Sequence, residues 1–229
     1  MNNASQERNV LLLIGSPKGL KSTSYSLGSC LVKKLEAGGL IAKTMVIGAA
    51  LHTEKALAAM REAVAAADLI IVSFPLYVDQ LPAPLVEALE RIAAERHARP
   101  AVKPQKIMAI VQCGFPETHQ NRPACEIMRR FANEAGFEWA GALAMGMGGA
   151  VGGRSLEKAG GMVRRTVKAL DLAATSLIDG GLVPKEAVDL MAQPAIPKRL
   201  YLLVANWGMK SQARKHGAKS LVYARPYGR

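Results

Sequence analysis

Residues 10–14, Val-Leu-Leu-Leu-Ile, run without interruption into Gly15 and then into a loop dense in hydroxyls and cations, Ser16-Pro-Lys-Gly-Leu-Lys-Ser-Thr-Ser24. Beyond the loop, apolar residues recur at four-residue spacing, Leu27, Leu31 and Leu35, with Val32 beside them. An unbroken apolar run marks a strand buried on both faces, the kind found inside a parallel sheet. The spacing that follows marks the apolar stripe of a helix. Strand, polar loop and helix start, in that order, aim loop amides and a first helical turn at one point, where the helix dipole adds partial positive charge. Ser16, Ser22, Thr23, Ser24 and Ser26 each carry a hydroxyl able to bond a phosphate oxygen. The pattern predicts a site for a phosphorylated ligand.

The alternation continues along the chain. Strands are expected over 41–47, 69–74, 106–112 and 138–145. Between them lie a first helix ended by Gly38-Gly39, a helix capped near Thr53 and running to about 67, one opened by Pro82 and Pro84 and running to about 97, and one from Pro123 to about 135. A loop is expected from 99 to 104. A glycine-dense loop at 146–153 leads to a long helix expected over 155–178. Five strand–helix units in this order predict an α/β fold, a doubly wound five-stranded parallel sheet with helices on both faces. Such sheets bind ligands beyond the carboxyl ends of their strands, where the strand order reverses. Past Val183 the pattern changes: Pro184, Pro194 and Pro197 punctuate it, and 198–216 reads as a helix carrying Trp207. The expected division is a domain over 1–183 and a basic C-terminal extension over 184–229.

Several classes are disfavoured. No apolar run reaches the roughly 18 residues of a membrane-spanning helix, and residues 1–9 are polar and lack the apolar stretch of a signal peptide, so a cytoplasmic location is expected. Cys30, Cys113 and Cys125 are odd in number, far apart, and include no C-x-x-C pair, which argues against a metal site, an iron–sulfur centre or a disulfide framework. The formal net charge is +12, and the stretch from Leu190 to the end holds eight Lys and Arg with no acidic residue. An anionic membrane surface or nucleic acid is one reading of that stretch; the plainer one is a solvated basic face. It carries no recognised nucleic-acid motif, and no nucleic-acid partner is expected.

Three ligands compete for the first loop. A dinucleotide fold requires Gly-x-Gly-x-x-Gly after the first strand, and Gly15-Ser-Pro departs from it. A triphosphate-binding loop requires Gly-x-x-x-x-Gly-Lys-Ser/Thr; the stretch from Gly15 to Lys21-Ser22 misses by one position, with Leu20 at the second glycine. The third strand ends in Ser73-Phe74-Pro75, with no acidic residue to hold magnesium. The third candidate is flavin mononucleotide (FMN), whose single terminal phosphate suits a hydroxyl-lined loop.

Here the chain resembles the flavodoxin-like NAD(P)H-dependent oxidoreductases, the group of FMN reductases and quinone reductases. The matching residues are Gly15-Ser-Pro-Lys18 with Ser22-Thr-Ser24, then Phe74-Pro-Leu-Tyr-Val-Asp-Gln-Leu-Pro82, then Cys113-Gly-Phe115. They follow strands one, three and four, and the resemblance covers roughly residues 9 to 182. It implies the flavodoxin-like strand order 2-1-3-4-5. It also implies that Ser16, Lys18, Ser22, Thr23 and Ser24 hold the FMN phosphate. Pro75, Leu76, Tyr77 and Val78 would lie against the ribityl chain and one edge of the ring, with Cys113, Gly114 and Phe115 lining its other side. The residue types suit these roles: Pro75 favours extended backbone before it, Tyr77 and Phe115 offer flat faces, and Gly114 permits close backbone approach.

The expected activity is transfer of hydride from NAD(P)H through FMN to a quinone-like or other small planar acceptor, one pocket serving both substrates in turn, in a homodimer. No side chain is required as a catalytic nucleophile. Two other readings remain at this stage: a flavin-binding electron carrier or redox sensor without nicotinamide turnover, and a nucleotide phosphotransferase on the near-miss loop. His119 reads either as a proton donor or as a loop-bracing residue. Met145 and Met147 read either as a pliable pocket wall or as packed core.

Overall fold

The computed structural model describes residues 8–99, 102–225 and 228. The polar residues 1–7, Pro100 and Ala101 of the expected 99–104 loop, and Arg229 of the basic tail lie outside the described residues. Five strands form one parallel sheet: β1 (Asn9–Ile14), β2 (Ile41–Val46), β3 (Leu69–Pro75), β4 (Lys106–Gln112) and β5 (Glu138–Met145), in the order β2-β1-β3-β4-β5. This is the flavodoxin-like order expected from the sequence.

Successive strand residues point to opposite faces, so β1 feeds two cores. Leu12 and Ile14 join Ile71, Met108 and Ile110 beneath α1 (Thr23–Ala37) and α6 (Arg164–Ile178). Leu11 and Leu13 join Ile70, Val72 and Val111 on the other face. That second face is covered by α2 (Ile47–Ala50), α3 (Glu54–Ala66), α4 (Ala83–Ala98) and α5 (Arg122–Glu134). The predicted stripe Leu27, Leu31, Val32 and Leu35 is buried. Thr53 caps α3, its Oγ1 accepting the Ala56 N–H at 3.1 Å.

The chain leaves β1 toward α1 on one face and leaves β3 toward α4 on the other. The loops after these adjacent strands diverge, and the crevice between them is where this topology receives ligands.

Four local expectations differ from the structure. Ile47 begins the short α2 instead of ending β2 and is buried. The helix expected from 155 begins only at Arg164; residues 156–163 form two 3-10 turns, broken at Gly160 with φ +73°. The first helix begins at Thr23, ahead of its apolar stripe. A helix unforeseen in the sequence, α7 (Lys185–Ala192), buries Ala187 and Met191 in the core against α6 and β5.

The chain falls into two compact units, 1–195 and 196–229. The second unit consists of α8 (Lys198–Lys215) and a 3-10 turn at Lys219–Leu221. Among the described residues no helix is long and apolar enough to cross a membrane.

Candidate functional site

Four loops meet beyond the carboxyl ends of β1, β3, β4 and β5. The first is pinned at its root: the Gly15 N–H donates to the Ser73 carbonyl at 2.9 Å, and the Ser73 hydroxyl donates to the Ser24 carbonyl at 2.7 Å. Ser73 is the one polar residue in β3 and is fully buried. It ties the start of α1 to the neighbouring strand.

Ser22 is the N-cap of α1. Its hydroxyl accepts the Tyr25 N–H (3.1 Å) and donates to the Gly19 carbonyl (2.6 Å), while its own N–H also bonds Gly19 (3.2 Å). Those bonds commit Ser22 to shaping the loop. The Ser16 hydroxyl accepts the Lys18 N–H (3.3 Å), which leaves its proton for another acceptor. Thr23 donates across to the Gly148 carbonyl (3.1 Å). Ser24 is fully buried and its Oγ has no partner. A buried hydroxyl without a partner costs about 1–3 kcal/mol, and here it sits in the first turn of a helix, where anions bind. Lys18 and Lys21 are exposed at the loop rim.

After β3, Leu76 N–H bonds the Gln112 carbonyl (2.8 Å), and Tyr77 and Gln80 exchange two backbone bonds of 3.0 Å. Val78 (φ 50°) and Asp79 (φ 59°) make the two-residue turn between them. Both lie in the left-handed region that disfavours a β-branched side chain. Pro75 is buried and Leu76 half-buried, whereas Tyr77 is 43% and Val78 95% exposed.

After β4, Phe115 is 60% exposed and Gly114 is exposed, but Cys113 is buried. Burial pushes the Cys113 thiol up from its ordinary pKa, outweighing its contacts with the Phe115 carbonyl and the Asn121 amide. Three expected residues, Tyr77, Val78 and Phe115, thus present apolar surface at the same end of the sheet.

The β5 loop closes on the others. Met147 N–H bonds the Phe115 carbonyl and Gly148 N–H the Cys113 carbonyl, both at 2.8 Å. Met145 and Met147 are buried, so they are packed residues and form no open wall. Gly153 has φ +74° and lies so close to the first loop that a Cβ would overlap the Lys21 carbonyl oxygen.

Two residues here escaped the sequence reading. Asn121, fully buried, donates to the Met145 carbonyl (3.1 Å) and the Thr118 carbonyl (3.2 Å) and joins the β4 and β5 loops. Arg154 donates to the Val151 (3.1 Å) and Ala150 (2.7 Å) carbonyls and braces the glycine-rich segment. Neither has a local signal; each acts through loop carbonyls that only the fold brings near. Ser73 did have one, as a lone hydroxyl in an apolar strand. His119 lies exposed on the 3-10 turn Thr118–Asn121.

A cavity of about 530 Å³ between α3 and α4, lined by Arg61, Glu62, Arg96 and Gln105, opens at the opposite end of the sheet. There Arg96 stacks 3.6 Å over the Phe137 ring. It is remote from the loops that carry the site.

The first of these loops offers a helix N-terminus, a buried hydroxyl lacking an acceptor and a rim of lysines. The next two offer exposed flat side chains. That donor set fits a phosphate joined to a planar ring system, and the comparisons agree with it. No curated protein matches the chain by sequence. Solved structures share the fold at low identity. A putative quinone reductase from Klebsiella pneumoniae is 17% identical, with TM-score 0.58 over 78% of this chain and 88% of its own. An NAD(P)H:quinone oxidoreductase from Methanothermobacter marburgensis is 15% identical, with TM-score 0.54 over 75% and 96%. An FMN-dependent NADH-azoreductase from Bacillus anthracis, solved with FMN, is 11% identical, with TM-score 0.53 over 75% and 99%. The family model described as NADPH-dependent FMN reductase matches residues 8–149, which contain the β1, β3 and β4 loops and all five strands of the sheet. The chain therefore belongs to the NADPH-dependent FMN reductase family, and is an NAD(P)H-dependent flavin oxidoreductase with FMN as its cofactor.

Proposed function

We propose that the FMN phosphate sits at the N-terminus of α1 and the isoalloxazine between the β3 and β4 loops, and that NAD(P)H and a quinone-like planar acceptor use one open face in turn. The observation that carries the reading is the Ser24 hydroxyl, buried and unpartnered in the first turn of α1. In this reading Ser16 and Ser24 donate to the phosphate, Thr23 joins them by turning its hydroxyl proton away from the Gly148 carbonyl, Lys18 neutralises it, and Ser22 holds the loop in shape. Pro75, Leu76, Tyr77 and Val78 lie along the ribityl chain and one edge of the ring; Cys113, Gly114 and Phe115 line the other. When bound, FMN supplies the two-electron chemistry between donor and acceptor.

The residues themselves contribute position and surroundings. The helix N-terminus and Lys18 fix the charged end. Tyr77 and Phe115 provide the apolar surface that excludes water from a flat ligand. None of these side chains is required to form a covalent bond. Binding of donor and acceptor at one face predicts ping-pong kinetics. A cytoplasmic homodimer with flavin sites near its subunit boundary completes the reading, and so does the assignment of redox chemistry to 1–183 with 184–229 as an extension.

The test is initial-rate kinetics with NADPH and a soluble quinone. Parallel double-reciprocal lines are expected. Intersecting lines would show both substrates bound together and overturn the shared face.

A further inference from the structure

We infer that α8 is a peripheral membrane-docking helix that lies on anionic phospholipid surfaces. Two independent features of the second unit point there. The first is an exposed apolar stripe. Leu200, Leu203, Val204 and Trp207 fall at i, i+3, i+4 and i+7, one face of a helix, and are 48%, 68%, 55% and 71% exposed. On the other side of α8, Ala205, Met209 and Ala213 line an open hollow with Leu221 and Val222, and Leu202, Met209 and Leu221 add further exposed apolar surface there.

The second feature is charge. Arg199 and Lys210 flank one edge of the stripe, Lys215 flanks the other, and Arg214 follows at its end; all four are exposed. No acidic residue occurs from Leu190 onward, and this stretch carries eight of the chain's twelve net positive charges. A helix with an apolar face, a Trp and a cationic border lies in the plane of the membrane interface. Its apolar face enters the acyl boundary and its cations reach the headgroups.

Other occupants fit less well. A second copy of this chain offers no net opposite charge, because the part preceding Leu190 is itself at +4. A nucleic-acid backbone uses the cations but leaves the Leu and Trp stripe exposed. Anionic lipid satisfies both features, and the helix is peripheral, since it lacks the apolar length to span.

The test uses the full chain, with co-sedimentation on vesicles of phosphatidylcholine alone or mixed with phosphatidylglycerol. It needs no turnover, so its outcome is separate from that of the oxidoreductase reading. Binding is expected on the anionic vesicles only, weakening with salt, with a blue shift of Trp207 emission that the Trp207→Phe variant lacks. Each Lys or Arg near an anionic surface is worth roughly five-fold in partitioning, so Lys210→Gln, Arg214→Gln and Lys215→Gln together lower it on the order of a hundred-fold. Leu203→Glu abolishes binding while leaving NADPH oxidation of a soluble quinone unchanged. Equal binding to neutral vesicles, or none to either, overturns the proposal. So does a dimer that Leu203→Glu dissociates without any vesicle binding, and so does binding of duplex DNA in place of vesicles.

Discussion

Gly153→Ala separates the arrangement of the site loops from the stability of the sheet. Gly153 sits at φ +74°, where an alanine costs roughly 1–2 kcal/mol. The added Cβ would also overlap the Lys21 carbonyl oxygen and stand 3.1 Å from the Lys21 carbonyl carbon. Those atoms are backbone and cannot rotate away as a side-chain tip does, so the overlap adds roughly 1–3 kcal/mol unless the loops part. The least costly response is separation of the glycine-rich segment from the first loop, which opens the phosphate cradle. At about 1.4 kcal/mol per tenfold, a loss of about 2 kcal/mol or more lowers FMN affinity by at least about 30-fold. Flavin fluorescence quenching during titration of the apoprotein measures this directly. Gly149→Ala is the control, since a Cβ there meets nothing within 4 Å, and it should bind FMN as the parent does. If Gly153→Ala binds FMN with unchanged affinity, the glycine-rich segment does not support the cradle and the reasoning fails.

Three further outcomes follow from the geometry. Ser24→Ala should leave the apoprotein as stable or more stable by about 1 kcal/mol, since it removes an unpartnered buried hydroxyl, while weakening FMN binding; loss of apoprotein stability without loss of affinity would make Ser24 purely structural. Val78→Asn should stabilise the protein by about 1 kcal/mol in urea unfolding, because a two-residue turn with both φ positive suits Asn and strains a β-branched residue; a destabilised variant would refute the left-handed turn. Burial raises the pKa of Cys30 and Cys113 and lifts Cys125 to about 11, so all three remain thiols at neutral pH. Alkylation of the native protein should be slow at pH 7 and accelerate only above the ordinary thiol value of 9.0; rapid neutral labelling of Cys113 would contradict its burial.

The centre of the sheet was legible because β1, β3 and β4 are long apolar runs. Val10 to Ile14 and Leu69 to Val72 need no context to read as buried on both faces, and Thr53 announces the cap it forms. Local patterns failed where tertiary contacts decide. The segment before Arg164 has helical composition apart from Gly160-Gly161, and those glycines hold it in 3-10 turns. Helix α7 is short, and its Ala187 and Met191 become core only because α6 and β5 lie beneath them.

The same divide runs through the site. Ser16, Lys18, Thr23 and Ser24 follow β1 in a recognisable order and meet at one helix N-terminus. The commitment of Ser22 to Gly19 and Tyr25 was invisible, since a hydroxyl's partners depend on loop shape. Asn121 and Arg154 were missed because they bond backbone carbonyls, which every residue has and no motif records. Tyr77 and Phe115 were identified by type, and the fold leaves them exposed side by side with the crevice that the strand order creates.

The claim beneath all of this is that the N-terminus of α1 receives the flavin's phosphate, and a crystal structure of the FMN complex tests it most directly. The account predicts phosphate oxygens within hydrogen-bond distance of the Ser16, Thr23 and Ser24 hydroxyls, with the ring against Tyr77 and Phe115. A phosphate bound elsewhere, with Ser24 still unpartnered, would contradict it.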